Sequence, residues 1–286
     1  MFRSAIAIIP FVLVSFQTWP RLSQIQASAQ KEAPSMSPTA TLESLLASGS
    51  WDAVEEAHRQ GVSALPTVQT YAKSKNSASR QIAMACASRI GGEQAAQILT
   101  AGLADADINV QLTAAKELDS GKFPSASPAI LEQLARGKDD LVREFLALDA
   151  GYIPGDRTIA VLRPLAAGQG GLATNARMAL AKLKDAWARD LLVKDLSSPL
   201  ARTRYEALDQ LRYVDDPQFV SNAKKLLDDR EPARRIGTAR NPRFRRVCDQ
   251  AVDTLAFLLK LRPSFPVAPE KIYTQEQLSQ FRQLVG

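Results

Sequence analysis

Few side chains in this sequence are of the kinds that carry out reactions, and their spacing limits what they could do. His58 is the only histidine, so neither a histidine-based triad nor a multi-histidine metal site can be assembled within one chain. Alone on a helix surface, it reads as inert. Cys86 and Cys248 are the only cysteines, too few for a disulfide framework. Cys86 reads as a core residue. Cys248 follows Arg245 and Arg246, whose charge would lower a thiol pKa if the group were accessible. Gly168-Gln169-Gly170-Gly171 lacks the preceding strand and the following Lys-Ser/Thr of a phosphate loop, so it reads as a turn. No residue is assigned a catalytic, cofactor-binding or metal-binding role, and the chain is expected not to be an enzyme.

One charged cluster remains. Residues 229–246, DREPARRIGTARNPRFRR, carry seven arginines against two carboxylates. Arg230, Arg234, Arg235, Arg240, Arg243, Arg245 and Arg246 are the candidate partner-binding residues, because a planar guanidinium matches carboxylate or phosphate in a way that lysine does not. The competing assignment is that they pair with nearby Asp215, Asp216, Asp228 and Asp229. Nearly all of the chain's basic excess sits here. Without residues 1–29 there are 34 basic side chains against 30 acidic, a net +4, of which the cluster supplies +5. With no basic surface elsewhere, nucleic acid is not the expected partner. An acidic protein is expected, or an envelope polymer.

The elements that must position this cluster are helical. Aromatics make up only 6% of residues and Ala and Leu dominate, a composition for close helix packing rather than a β-sandwich. Apolar residues recur at an interval of 31: Val68, Leu99, Ile130, Val161, Leu192 and Ala223, each with an apolar partner four residues on (Ala72, Leu103, Leu134, Leu165, Leu196, Leu227). A second series, Ala83, Ala114, Phe145, Ala176 and Ala207, follows eleven residues later. The first series marks the buried face of a first helix, and the second a second helix with a small residue where helices approach closely. Asp149 breaks the second series, and a register one residue later, through Val142, Leu146 and Ala150, fits that repeat as well. Polar turns (Asn76-Ser77, Asp105-Ala106-Asp107, Lys138-Asp139-Asp140) join the two helices, and Gly and Pro stops separate the units. Arg80, Arg143 and Arg204 recur near the start of second helices and are expected to tie neighbouring acidic turns together.

The stretches Asp107-Ile108-Asn109-Val110-Gln111 through Leu118, and Thr203-Arg204 through Leu211, resemble short bacterial HEAT repeats. The resemblance covers roughly residues 62–261. It implies an all-α fold, a right-handed α-α superhelix of about six helical hairpins, and says little of function; the leading expectation is a scaffold for protein–protein interaction. Some HEAT-like proteins attach bilin chromophores to proteins, so it also admits an enzyme or enzyme subunit of the bilin-lyase kind. A purely structural envelope spacer is a further alternative.

The organisation expected around the repeats is a signal peptide at 1–29, a leader at 30–40, an N-terminal helical cap at 41–61 with Trp51 buried against the first repeat, the solenoid at 62–261 interrupted at 229–246, and a C-terminal cap at 262–286. Arg3, the apolar run from Ala5 to Phe16, and Ala27-Ser28-Ala29 have the character of an export signal cleaved after Ala29. The run is too short to span a bilayer comfortably, so the mature chain is expected to be periplasmic or secreted, without a membrane span. Five repeats between Cys86 and Cys248 put them too far apart to form a disulfide.

Overall fold

The structure, a computed structural model, describes residues 40–286. The expected signal segment, its expected cleavage site and nearly all of the expected leader lie outside the described residues. Helices α1 (Leu42–Ser48) and α2 (Asp52–Gln60) come first. Six hairpins follow: α3 (Leu65–Tyr71) with α4 (Ser77–Ile90), α5 (Glu93–Gly102) with α6 (Ile108–Glu117), and α7 (Ser127–Arg136) with α8 (Asp140–Ala150). Then come α9 (Asp156–Ala166) with α10 (Gly170–Lys182), α11 (Ala186–Leu196) with α12 (Ala201–Val214), and α13 (Val220–Lys225) with α14 (Val247–Leu258). Helix α15 (Gln275–Val285) closes the array.

The second helices stack on one another from α4 through α14, and first helices pack against first helices beside them. This two-layer stack is the α-α superhelix that the period implies. The first pair obeys the same rule, α1 against α3 and α2 against α4, so the N-terminal cap is a shortened repeat. A single apolar cluster runs through all of it, from Leu42 to Phe281.

The polar turns do two jobs. Asn76, Asp107, Asp139 and Asp185 each cap a following helix by accepting a backbone N–H, at 3.0, 2.8, 3.0 and 3.1 Å. Two polar turns receive arginine from the preceding repeat. Arg80 donates to both carboxylate oxygens of Asp105 at 2.7 and 2.8 Å, and Arg204 donates to Asp229 at 2.6 Å. Arg143 departs from this rule, for it reaches the Leu134 carbonyl and Asp140 of its own hairpin. Close approach between repeats depends on Gly102, where a Cβ would collide with Met84 Sδ and lie 2.9 Å from Ala114 Cβ.

Three expectations are corrected. Trp51 is 52% exposed; Ala53 and Ala57 of α2 make the contact with the first repeat in its place, since small residues let the short helix sit close. The 31-residue series slips by one in two helices. In α8 the buried residues include Val142, Leu146 and Ala150, the alternative register, and in α9 they include Leu162 and Ala166 rather than Val161 and Leu165. Thirdly, residues 229–246 are not an irregular loop. They form an antiparallel hairpin, β1 (Pro232–Thr238) and β2 (Asn241–Arg246), turning through Ala239-Arg240, with Arg235 opposite Phe244 and Ile236 opposite Arg243.

Candidate functional site

The hairpin stands on the second-helix layer, where β1 packs against α12 and β2 runs directly into α14. Its root is buried and its outer part is not. Ile236 is buried, while Arg235, Arg240 and Arg243 are exposed and Phe244 is half-exposed. Burial of only one residue in the middle of β1 leaves the strands little apolar signal, which is why the sequence reads as a loop.

The seven candidate arginines do not act together. Arg245 is a structural residue, 1% exposed. Its guanidinium donates to the Lys271 carbonyl (3.0 Å), the Tyr205 hydroxyl (3.0 Å), Gln250 Oε1 (3.1 Å), the Asp249 carbonyl (3.0 Å), Asp253 Oδ2 (2.8 Å) and the Pro269 carbonyl. Burial works against that charge, but Asp253 and Tyr205 outweigh it and hold the guanidinium protonated. Arg246 donates to Asp249 at 2.7 and 3.0 Å and to the Tyr273 carbonyl at 2.7 Å. Asp249 is filled by these bonds and by the backbone N–H groups of Arg246 and Tyr273. Arg230 is tied to Gln275 Oε1 at 2.6 Å. Arg245 and Arg246 fasten the hairpin and the C-terminal segment to α14, Arg230 ties the base of the hairpin to α15, and the three are not free for a partner.

The competing assignment is corrected as well. The arginine ion pairs of the hairpin go to Asp249 and Asp253 on α14. Asp216, Asp228 and Asp229 are taken by Arg189, Arg282 and Arg204. Asp215 caps α12 in the left-handed conformation, φ 53°. The reason is connectivity: β2 runs directly into α14, and the N–H groups of Val247 and Cys248 bond the Glu231 and Asp229 carbonyls, which sets Arg245 and Arg246 over the first turns of α14.

Arg234 and Arg235 line a cavity that sequence reasoning missed. It measures about 470 Å³ and lies between α10, α11 and α12 with β1 along one side. Met178, Ala181, Leu191 and Leu192 supply apolar wall, and Asp195, Glu206, Asp209, Tyr205, Arg177 and Arg202 supply polar groups. Arg234 stands beside Tyr205 and near Asp209. Asp209 accepts from Gln250 Nε2 at 3.1 Å; burial pushes its carboxyl upward, against the pull of Arg212, Arg234 and Arg245. No single repeat contributes the whole lining, so no local motif could have announced it.

The thiols are not reactive groups. Both are free and buried. Burial pushes Cys86 up to about 12, and it raises Cys248 too, despite the pull of Arg246 and Arg230. The lowered-pKa assignment for Cys248 is therefore overturned: its arginine neighbours face Asp249 and a hydrogen-bonded framework, not the sulfur. Among the described residues no group of three or more His, Cys, Asp or Glu could hold a metal ion, and no helix is long and apolar enough to cross a membrane.

No protein-family profile and no curated protein sequence matches the chain. Solved structures do. The chain is similar to the complex of CpcE and CpcF of phycocyanin lyase from Nostoc sp. PCC7120, with 15% identity over 90% of this chain and 97% of that chain and a TM-score of 0.52. The fold is a HEAT-like α-solenoid. At that identity the likeness is one of architecture, the stacked helical hairpins described above.

Proposed function

We propose that this chain is an exported HEAT-like interaction scaffold that holds an acidic protein partner on the α10–α12 face and the arginine hairpin. The observation that carries this reading is the division within the hairpin. Arg245 and Arg246 lock its root, while Arg235, Arg240 and Arg243 project outward with no ion pair among the described residues. Exposed cations on a rigid support steer an anionic partner and fix its register. Half-exposed Phe244 stands opposite Arg235 across the strands and adds apolar contact area beside the charge. That the similar solved structure is a complex of two proteins supports a protein partner. The sequence of residues 1–29 supports export, with the mature chain periplasmic or secreted.

The test is partner capture from an envelope extract, comparing the intact chain with a variant in which only Arg235, Arg240 and Arg243 become Ser. A partner retained by the first and lost by the second supports the hairpin as the binding arm. A partner captured equally by both removes the arm from the interface.

The cavity favours a second reading. About 470 Å³ is within the range of small-molecule pockets, and the similar solved structure is of a phycocyanin lyase. In that reading the chain handles an organic ligand as an enzyme subunit would. Binding of a tetrapyrrole to the purified chain, followed by absorbance, distinguishes the two: spectral change lost on widening Ala181 to Trp would favour the lyase-like role.

A further inference from the structure

The charged groups lining the cavity differ in how much of their bonding capacity is already used. Arg177 donates to the carbonyls of Ala166 and Gly168 at 2.8 and 2.7 Å. Arg202 is paired with Glu206 at 2.7 Å. Arg234 stands beside Tyr205, and Arg235 is exposed at the rim. Of the carboxylates, Glu206 has Arg202 and Asp209 has the Gln250 amide.

Asp195 differs from both. It lies on α11, half-buried, and its carboxylate makes no hydrogen bond or ion pair among the described residues. Burial raises its pKa; Arg177 and Lys194 oppose that rise from a distance, and Glu206 adds to it. Beside it the wall is apolar, formed by Met178, Ala181, Leu191 and Leu192. Asn175 also faces the space; its amide N–H₂ donates to the Glu144 carbonyl, which leaves its amide oxygen as an acceptor. A cavity whose lining combines an apolar wall with an unpaired carboxylate and an amide oxygen complements a group with a hydrocarbon stem and a head that only donates.

We propose that the cavity receives a primary alkylammonium group, a lysine side chain of the bound partner, with its stem along Met178, Leu191 and Leu192 and its head on Asp195. The partner segment would then carry one lysine among acidic residues, the lysine in the cavity and the acids on Arg235, Arg240 and Arg243. The partner's identity as a protein rests on the scaffold reading above. The chemistry of the cavity does not, and it can be tested without a partner.

The experiment is a titration of the chain carrying ¹³C-methyl methionine with pentylammonium, pentanol and pentanoate, followed by NMR. Met178 lines the cavity, and Met84, buried against Gly102, serves as the internal control. Pentylammonium is expected to shift the Met178 methyl saturably while Met84 stays still, and to bind at least about tenfold more tightly than pentanol, a difference of about 1.4 kcal/mol. The near-isosteric Asp195→Asn variant, checked by its thermal transition, should lose that preference. Changing Arg240 and Arg243 to Ser, neither of which lines the cavity, should leave pentylammonium binding within about twofold, so failure of the arm and failure of the cavity are separable. Pentanoate binding as well as pentylammonium, an unaltered Asp195→Asn variant, or no saturable shift would each overturn the proposal.

Discussion

The Arg245 guanidinium and the Asp253 carboxylate meet at 2.8 Å with side chains 1% and 5% exposed. Tyr273 donates its hydroxyl to the other Asp253 oxygen at 2.6 Å. The pair therefore joins three pieces distant in sequence: the end of β2, the middle of α14 and the segment leading into α15. A basic cluster that looks like a single surface is two structures, a buried clamp and an exposed arm.

Removing one partner of a buried ion pair leaves the other charged and unsolvated. Arg245→Met is expected to destabilise the chain by about 3–5 kcal/mol and to expose the hairpin amides to rapid hydrogen exchange. Arg235→Ser, at an exposed position, should change stability by no more than about 0.5 kcal/mol. Urea unfolding of both variants checks the contrast, and equal losses would refute the division into clamp and arm.

Asp149 supplies a pH dependence. Its Oδ1 accepts the Ser120 N–H at 2.7 Å, but its Oδ2 is buried with no partner. Burial raises its pKa from 3.8 to about 6. The folded state then holds a proton between those values that the unfolded state has released. The stabilisation from this group is complete below pH ~4 and is lost as the pH rises through about 6. The difference is at most about 3 kcal/mol. Asp149→Asn keeps an acceptor for Ser120 and should flatten stability across that window, raising it at pH 7.5. Denaturant midpoints at pH 4.5 and 7.5 measure this; an unchanged slope would contradict it.

The arginine bridges between repeats should outweigh ordinary surface pairs. Arg204 reaches Asp229 at 2.6 Å and the Ser198 carbonyl at 2.7 Å with both charged side chains 12% exposed. Arg204→Ala is expected to cost about 1.5–3 kcal/mol. Arg136→Ala, which loses an exposed pair with Glu132 at 3.3 Å, should cost under about 0.5 kcal/mol. Thermal unfolding of the two variants ranks them.

Much of this was legible in the sequence because repetition multiplies a weak signal. A lone Asp107 before an apolar run is a modest cap, but polar turns at repeated intervals disclose stacked hairpins. The bridging role of Arg80 and Arg204 was readable for the same reason, since each lies 25 residues before its carboxylate partner. What escaped notice was where the repetition stops. The strands bury a single apolar residue, Ile236, so no two-residue alternation of apolar side chains develops. The buried role of Arg245 depends on Tyr205, Asp253 and Lys271, none of them its sequence neighbours. The cavity needs side chains from three helices and a strand. Trp51 failed for a simpler reason: aromatic type suggests burial, but the neighbouring Ala53 and Ala57 already fill the contact.

The inert thiols give a direct check on burial. Cys86 and Cys248 are expected to react with a thiol reagent only on unfolding, both at the same denaturant concentration as the global transition. Early reaction of Cys248 would show that the hairpin root opens independently of the array.

The measurement that bears most directly on the binding role is the affinity of a glutamate-rich peptide with one central lysine, read by fluorescence anisotropy at two salt concentrations. The intact chain should bind it with an affinity that falls as salt rises. The variant with Ser at 235, 240 and 243 should bind at least about tenfold more weakly, a loss of about 1.4 kcal/mol, with a flatter salt dependence and an unchanged thermal transition. Equal affinity and equal salt dependence in the two proteins would contradict the arm as the site of partner recognition.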